Sequence, residues 1–442
     1  MALGGGVWFS QNKILPGTYI NFISRATAAG ALSERGVCAI ALTLDWGADS
    51  GLIEVDVSDF LKNSQKIFGY DYGNAKMKGL RDLYLHARKV YVYKLNGATT
   101  GKATNAYATA LYSGVRGNDL KIKVAVNADD EDLFDVTTLL GTAPVDVQTV
   151  ASAAALKAND YVTFKTNATL EATAGLALTG GTNATVTVAN HQAFLDLMES
   201  VSDVNAIGVV NDESVTGALE LNALYGAWVK RMRDEVGVKL QLVAYNYAGD
   251  HEGIVNVVNA TTDDGWSAAS LVYWVLGVIG GTAINASATN MVYDGEFTVT
   301  AAYTQAQLEG IISGGKFALH KVGPDLRILM DINSLVTLSD EKNYLFQKNQ
   351  TIRVIDNIAT DIAAIFNTRY LGQVPNDDAG RISLWTDIVA HHRELERIRA
   401  IEDFDEDLVT VEPGDEKTSV LVNEQISVVN AMEKLYMTCV IS

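Results

Sequence analysis

The chain has 442 residues, 48% of them hydrophobic, and sets 53 acidic against 34 basic side chains, a formal charge of -19. That length and apolar content provide for two to four domains with real cores and exclude a disordered chain, and the charge makes a nucleic-acid backbone a poor partner for the surface as a whole. The two cysteines, Cys38 and Cys439, are far apart and lack any CxxC or Cys/His spacing, so neither a disulfide framework nor a zinc site is indicated and both are expected to be small apolar fillers.

Met1 to Gly6 has neither a charged nor an apolar leader region, which reads against a signal peptide and for synthesis in the cytoplasm. Residues 1–24 look extended: Pro16-Gly17 marks a turn, and Tyr19, Ile20 and Phe22 belong to a strand-like run, either a first core strand or an arm reaching a neighbour. From residue 25 to 96 strands and helices alternate, with Val37 to Leu44, a segment capped at Ser58, a helix around Met77 to Ala87, and Val90 to Leu95. Residues 97–190 turn rich in Ala, Thr, Gly, Asn and Val. Alternating runs at Leu120 to Val126, Tyr161 to Lys165 and Thr185 to Val188 predict a small β-rich domain.

Alternation resumes over 191–340: helix Gln192 to Ser200, strand Ala206 to Val210, helix Gly217 to Val236, strands Lys239 to Tyr245 and Ile254 to Val258. This predicts a mixed or parallel sheet flanked by helices. Ala268 to Ala283 is the most apolar window but is shorter than the roughly 18 apolar residues of a membrane span, so it reads as a buried helix. A strand Glu296 to Ala302, a helix Gln305 to Ser313 and a strand Leu326 to Ile332 follow.

Enzyme motifs are missing from this layout. No GxxxxGK[ST], GxGxxG or GxSxG occurs, and Gly277, Gly280 and Gly281 lie inside the apolar helix, where no amide cradle for phosphate forms. His391-His392 with Glu394 and Glu396 lacks the HExxH order of a zinc helix and reads as a helix-surface pair or partly buried interface residues. The acidic run Asp129 to Asp132 has no calcium-loop spacing and reads as a solvated turn.

The C-terminal region, 341–430, is the most legible. Ile355, Ile358, Ile362, Ile365 and Phe366 recur at helical spacing until Leu371-Gly372, with Pro375 just beyond. A second helix, capped at Ser383, places Leu384, Ile388, Leu395 and Ile398 on one face and Arg393, Arg397 and Arg399 late. Short strands Leu408 to Val411 and Val420 to Val422 flank the turn Pro413-Gly414-Asp415. Residues 431–442 end the chain as a strand, Glu433 to Ile441, with Leu435, Met437, Cys439 and Ile441 on one face and Lys434, Tyr436, Thr438 and Val440 on the other. Such a strand needs a sheet that accepts it, in the same molecule or a neighbour.

Asn349 to Asp356 (NQTIRVID), Tyr370 to Asn376, Gly380-Arg381 and Ala431 to Met437 together resemble the C-terminal domain of contractile-tail sheath proteins of phages and defective-prophage tails. The resemblance implies an α+β or α/β multidomain chain: a sheath-like α/β core and C-terminal domain, an inserted β-rich domain, and extended terminal strand arms. It implies inter-subunit contacts through Pro16, Gly17, Tyr19, Ile20 and Phe22 at one end and through Glu433, Lys434, Leu435, Tyr436, Met437, Cys439 and Ile441 at the other. The expected partners are further copies of the chain in stacked rings, a tail tube protein, and baseplate and tail terminator proteins, with no cofactor, no nucleic acid and no membrane insertion. Arg393, Arg397 and Arg399 are candidates for the tube contact. The rival readings are an α/β enzyme with an unrecognised ligand site and a non-contractile surface module.

Overall fold

A computed structural model of the chain describes residue 32 and residues 34–212 and 217–441. Two compact units emerge, one of residues 34–360 with 428–441, the other of residues 361–427; the division falls inside the helix Asn349–Ile365. The expected multidomain mixture of helices and sheets is present.

The larger unit is built on a seven-stranded sheet with Val37–Leu42 in its interior. On one side lie Lys89–Lys94 and then Leu52–Asp56; on the other lie Ala206–Val209, Gln241–Tyr245, Ile254–Val257 and Lys316–Phe317 in that order. All neighbours are parallel except Leu52–Asp56, which runs antiparallel to Lys89–Lys94. Parallel strands covered by helices on both faces must be apolar on both, and Val37–Leu42 is buried along its whole length. Cys38, Ile40 and Leu42 face one core with the helices Val57–Phe68, Lys78–Tyr84 and Leu271–Gly281; Val37, Ala39 and Ala41 face the other with Val188–Met198 and Ala218–Arg231. The apolar window is indeed an internal helix. Its glycines let it lie against the Lys78–Tyr84 region: a Cβ at Gly277 would stand 2.4 Å from the Leu83 carbonyl oxygen and one at Gly281 2.0 Å from that of His86.

The insert forms a four-stranded antiparallel sheet, ordered Ala143–Val150, Phe134–Leu140, Leu120–Val126 and Thr173–Ala177, beside the pair Ala108–Ala110 and Val162–Phe164. Its core gathers Leu120, Ile122, Val124, Val136, Leu140 and Phe164 around Trp46, which comes from the α/β part. Lys94 seals that junction. Its buried ammonium donates to Asp49 Oδ1 (2.9 Å) and the Ser113 carbonyl (2.7 Å), so a cation taken from water is repaid by full coordination.

Three sequence expectations need correction. Thr185 to Val188 forms no strand, because Thr187 caps the helix that begins at Val188. Glu296 to Ala302 contributes only a bridge between Val299 and Thr261: Phe297 is drawn under Trp266, and Thr298 N–H is taken by Asp263. The second C-terminal helix begins at Asp378, not after Ser383. Asp377 accepts from Gly380 N–H at 2.8 Å, and a Cβ on Gly380 would lie 2.1 Å from the Pro375 carbonyl oxygen, so the glycine is required by close approach and does not break the helix.

One buried carboxylate in the larger unit gives a direct stability test. Asp82 accepts from Glu296 N–H (2.8 Å) and Tyr293 O–H (3.2 Å), and burial pushes its pKa up to about 6. A folded-state value above the unfolded one means the fold disfavours the charged form, so stability is full at low pH and declines as pH rises through about 6. Asp82→Asn keeps the acceptor without the charge. It is expected to be more stable than the wild type at pH ~7.5, by up to about 3 kcal/mol, with the gap closing near pH ~4. Melting curves across that range check this; an Asn variant that melts lower at every pH contradicts it.

Candidate assembly interface

The helix Asn349–Ile365 opens with the NQTIRVID stretch, and its polar residues are as buried as its apolar ones. Arg353, with a fully buried guanidinium, pairs with the Asp331 carboxylate and donates to the Ala286 carbonyl at 2.9 Å. Asp331 also accepts from Asn349 Nδ2 (3.0 Å) and Ala288 N–H (2.9 Å). Arg233 grips Asp356 with two bonds of 2.7 Å, and Gln241 donates to Asn349 Oδ1 at 2.9 Å. Two ion pairs and their hydrogen bonds thus lock the start of this helix onto the sheet, and bidentate pairing fixes its rotation as well as its position.

This anchored turn holds the root of the C-terminal segment. Gln350 Oε1 accepts from Ala431 N–H (3.0 Å), and Thr351 O–H donates to Asn430 Oδ1 (3.2 Å). Glu433 accepts from Lys348 Nζ (2.5 Å) and Thr289 O–H (3.3 Å). Beyond it the polypeptide leaves the body. Leu435, Tyr436, Met437, Val440 and Ile441 are between 80% and 93% exposed, and no residue from 429 to 441 belongs to a strand. Of the two acceptors the sequence left open, a sheet of the same molecule does not take the segment: both faces are in solvent, and no sheet edge among the described residues of this chain pairs with it. Cys439, expected to be a filler, is exposed, while Cys38 is buried. Glu433, expected to reach a neighbour, is held within the chain.

The other sequence-derived positions divide. Pro16, Gly17, Tyr19, Ile20 and Phe22 lie outside the described residues. Arg393 pairs with Glu396 (3.1 Å) and Glu406 (2.9 Å), and Arg397 with Glu394 (2.6 Å), so their charges are already met on an exposed surface. Arg399 follows the helix end with a left-handed φ of 62°. The pair His391-His392 is corrected outright: both rings are fully buried, because Phe404 covers His392 and Asp361 takes His391.

A cluster that the sequence did not single out, Asp234, His251 and Glu252, brings three potential metal-ligand atoms within 4.8 Å of one another. Its hydrogen bonds argue for a different use. His251 Nδ1 accepts from Gly253 N–H (2.9 Å), which leaves the ring proton on Nε2 facing Asp234 (3.3 Å), and Lys342 holds Glu252 Oε1 at 2.7 Å. A metal-bound imidazole instead donates from its second nitrogen. The arrangement is a hydrogen-bonded ion cluster that braces one end of the sheet.

Comparisons with known proteins match three stretches of the chain. Residues 341–442 match the phage tail sheath C-terminal domain, residues 184–334 the phage tail sheath protein central domain, and residues 96–183 the phage tail sheath protein beta-sandwich domain. The phage-like element PBSX protein XkdK of Bacillus subtilis is 31% identical, with 98% of each chain covered. The crystal structure of a sheath tail protein from Desulfitobacterium hafniense superposes with a TM-score of 0.80 at 31% identity, covering 95% of this chain and 99% of that one. The chain belongs to the phage tail sheath family. The sheath fold extends to more distant structures: the anti-feeding prophage helical sheath in its contracted state matches with a TM-score of 0.56 at 12% identity over 97% of this chain. For this sheath chain the enzyme reading finds no support in the comparisons, and among its described residues no helix is long and apolar enough to cross a membrane.

Proposed function

We propose that this sheath chain polymerises into stacked rings around a tail tube and contracts to drive the tube through a target cell envelope, with its terminal arms as the links between subunits. One observation carries the proposal: an apolar run, Leu435 to Ile441, stands exposed beyond a root pinned by Lys348, Gln350 and Thr351. In water such a segment has neither apolar cover nor backbone partners. Added as a strand to a neighbouring copy it gains both, each backbone bond contributing about 0.5 to 1.5 kcal/mol. Pro16 to Phe22 are assigned the same role at the other end.

A linkage of this kind survives rotation of the bodies it connects, because the arm is tethered only at its root. Energy released on contraction then resides in the contacts between subunits, and no nucleotide enters the reaction. The tube, baseplate and tail terminator are the remaining partners of this reading, with synthesis in a bacterial cytoplasm and a final place in a phage tail or tail-like particle. For the tube contact, the internal pairing of Arg393 and Arg397 shifts the assignment toward Arg399; unchanged tube association in Arg399→Glu would remove it.

Negative-stain electron microscopy of the purified chain, alone and with its tail tube protein, tests the function. Hollow or tube-filled striated cylinders are expected. Discrete particles under both conditions would overturn the proposal.

A further inference from the structure

One stretch of the larger unit, residues 279–289, holds both the start and the end of the described chain. Arg35 donates to the Thr282 carbonyl from Nε (3.0 Å) and to the Ile279 carbonyl from Nη2 (2.9 Å), where the helix Leu271–Gly281 ends. Further along, the Ala286 carbonyl accepts from Arg353, Ala288 N–H donates to Asp331, and Thr289 O–H donates to Glu433. The N-terminal segment therefore enters the body close to where the C-terminal segment leaves it.

A pocket of about 400 Å³ opens beside this exit. Its apolar wall is made by Ile312, Met330, Ile332, Leu335 and Tyr344, and the ion pair of Lys348 with Glu433 at the C-terminal root lines it as well. Asp331, between two of the wall residues, is the carboxylate that fixes Arg353, so the wall is held by the same bonds as the root. Tyr344 is 61% exposed, and a firmly held apolar hollow left to water gains by taking in apolar side chains.

Residues 1–33 have the composition that such a pocket on such a surface selects. They contain Lys13 and Arg25 but no acidic side chain, so all 53 acidic residues lie in the rest of the chain, and they gather Ile14, Leu15, Tyr19, Ile20, Phe22 and Ile23 into one short run. A basic, apolar segment is complementary to an acidic subunit. In an extended run Ile20 and Phe22 share a face. Phe22 precedes Arg35 by 13 residues, a reach of at most about 45 Å, long enough to span to an adjoining copy. Resting on the reading of Pro16 to Phe22 as a link between subunits, we propose that the pocket is a socket for Ile20 and Phe22 of a neighbouring copy. Each subunit then receives one arm beside the root from which it sends out the other.

The test uses the full chain carrying photoreactive p-benzoylphenylalanine in place of Phe22. Isotopically light and heavy copies are mixed under assembly conditions and irradiated, and the products are read by mass spectrometry. Cross-links to residues 330–335 or 344–348 that join light to heavy copies are expected. Ile312→Trp, which fills the socket from a half-buried position, should lower their yield about tenfold, while Ile312→Val, which leaves it open, should not. Cross-links that are absent, land elsewhere or stay within single copies overturn the socket, as do equal yields from the two variants. If Ile312→Trp does not fold, the cross-link map of the parent chain decides alone. Electron microscopy of the same samples separates this result from the function itself: cylinders with cross-links elsewhere keep the sheath role and remove the socket, and socket cross-links between copies without cylinders do the reverse.

Discussion

Asp331→Ala is expected to remove a large share of the chain's stability and to lower its urea midpoint sharply. The carboxylate answers three donors at once: the Arg353 guanidinium, Asn349 Nδ2 and Ala288 N–H. Removing it strands a buried cation whose Nε and Nη1 already lack protein partners, as well as a backbone N–H. Breaking one side of a buried pair costs about 3 to 5 kcal/mol, against a total stability of about 5 to 15 kcal/mol for a protein of ordinary stability. Circular dichroism with a urea titration reads this directly. A midpoint within error of the wild type would mean that water or a rearranged side chain serves Arg353 as well as Asp331 does. Arg353→Met in the Asp331→Ala background should recover part of the loss, since no uncompensated charge then remains.

Truncation after Glu433 is expected to have the opposite profile, with a folded subunit that does not assemble. Residues 434–441 add no strand, and the exposed apolar side chains touch little of the body, so the melting temperature should stay close to that of the full chain. Cylinder formation should be lost completely, because each subunit gives up its strand to a neighbour. Keeping Glu433 matters to the design. Cutting at residue 430 also removes the Lys348 ion pair and the Gln350 hydrogen bond, so that a loss of assembly would mix arm and root. Normal cylinders from the 433-residue chain would show that this arm is dispensable.

The pattern of what could be read from sequence follows the range of the forces involved. Leu120–Val126 appears where alternation placed it, and the apolar window Ala268 to Ala283 is a buried helix, because periodicity and turn chemistry are local properties. Glu296 to Ala302 has strand-like alternation yet forms no strand, because Trp266 and Asp263, some thirty residues away, claim Phe297 and Thr298 first. The second C-terminal helix is read from Ser383, one turn late, because the close approach of the Pro375 carbonyl that calls for Gly380 inside the helix is not a local property. The burial of His391 and His392 depends on Asp361, Phe404 and Glu424, none of which is near in sequence, and the same holds for Arg353 and Asp331. For the assembly site, the apolar Leu435 to Ile441 was legible as a segment that needs cover. The root that aims it was not, although Gln350 and Thr351, polar residues within an apolar helix pattern, are the signal that marks it.

Assembly as proposed requires that residues 435–441, unpaired in the free subunit, become a strand in a neighbouring copy. Hydrogen exchange of those backbone amides, followed by mass spectrometry in the free chain and in assembled cylinders, tests it most directly. Exchange at the rate of an unstructured peptide before assembly and slowing by orders of magnitude afterwards is the predicted result. Amides that exchange equally fast in both states would contradict it and would leave the cylinders held together by other surfaces.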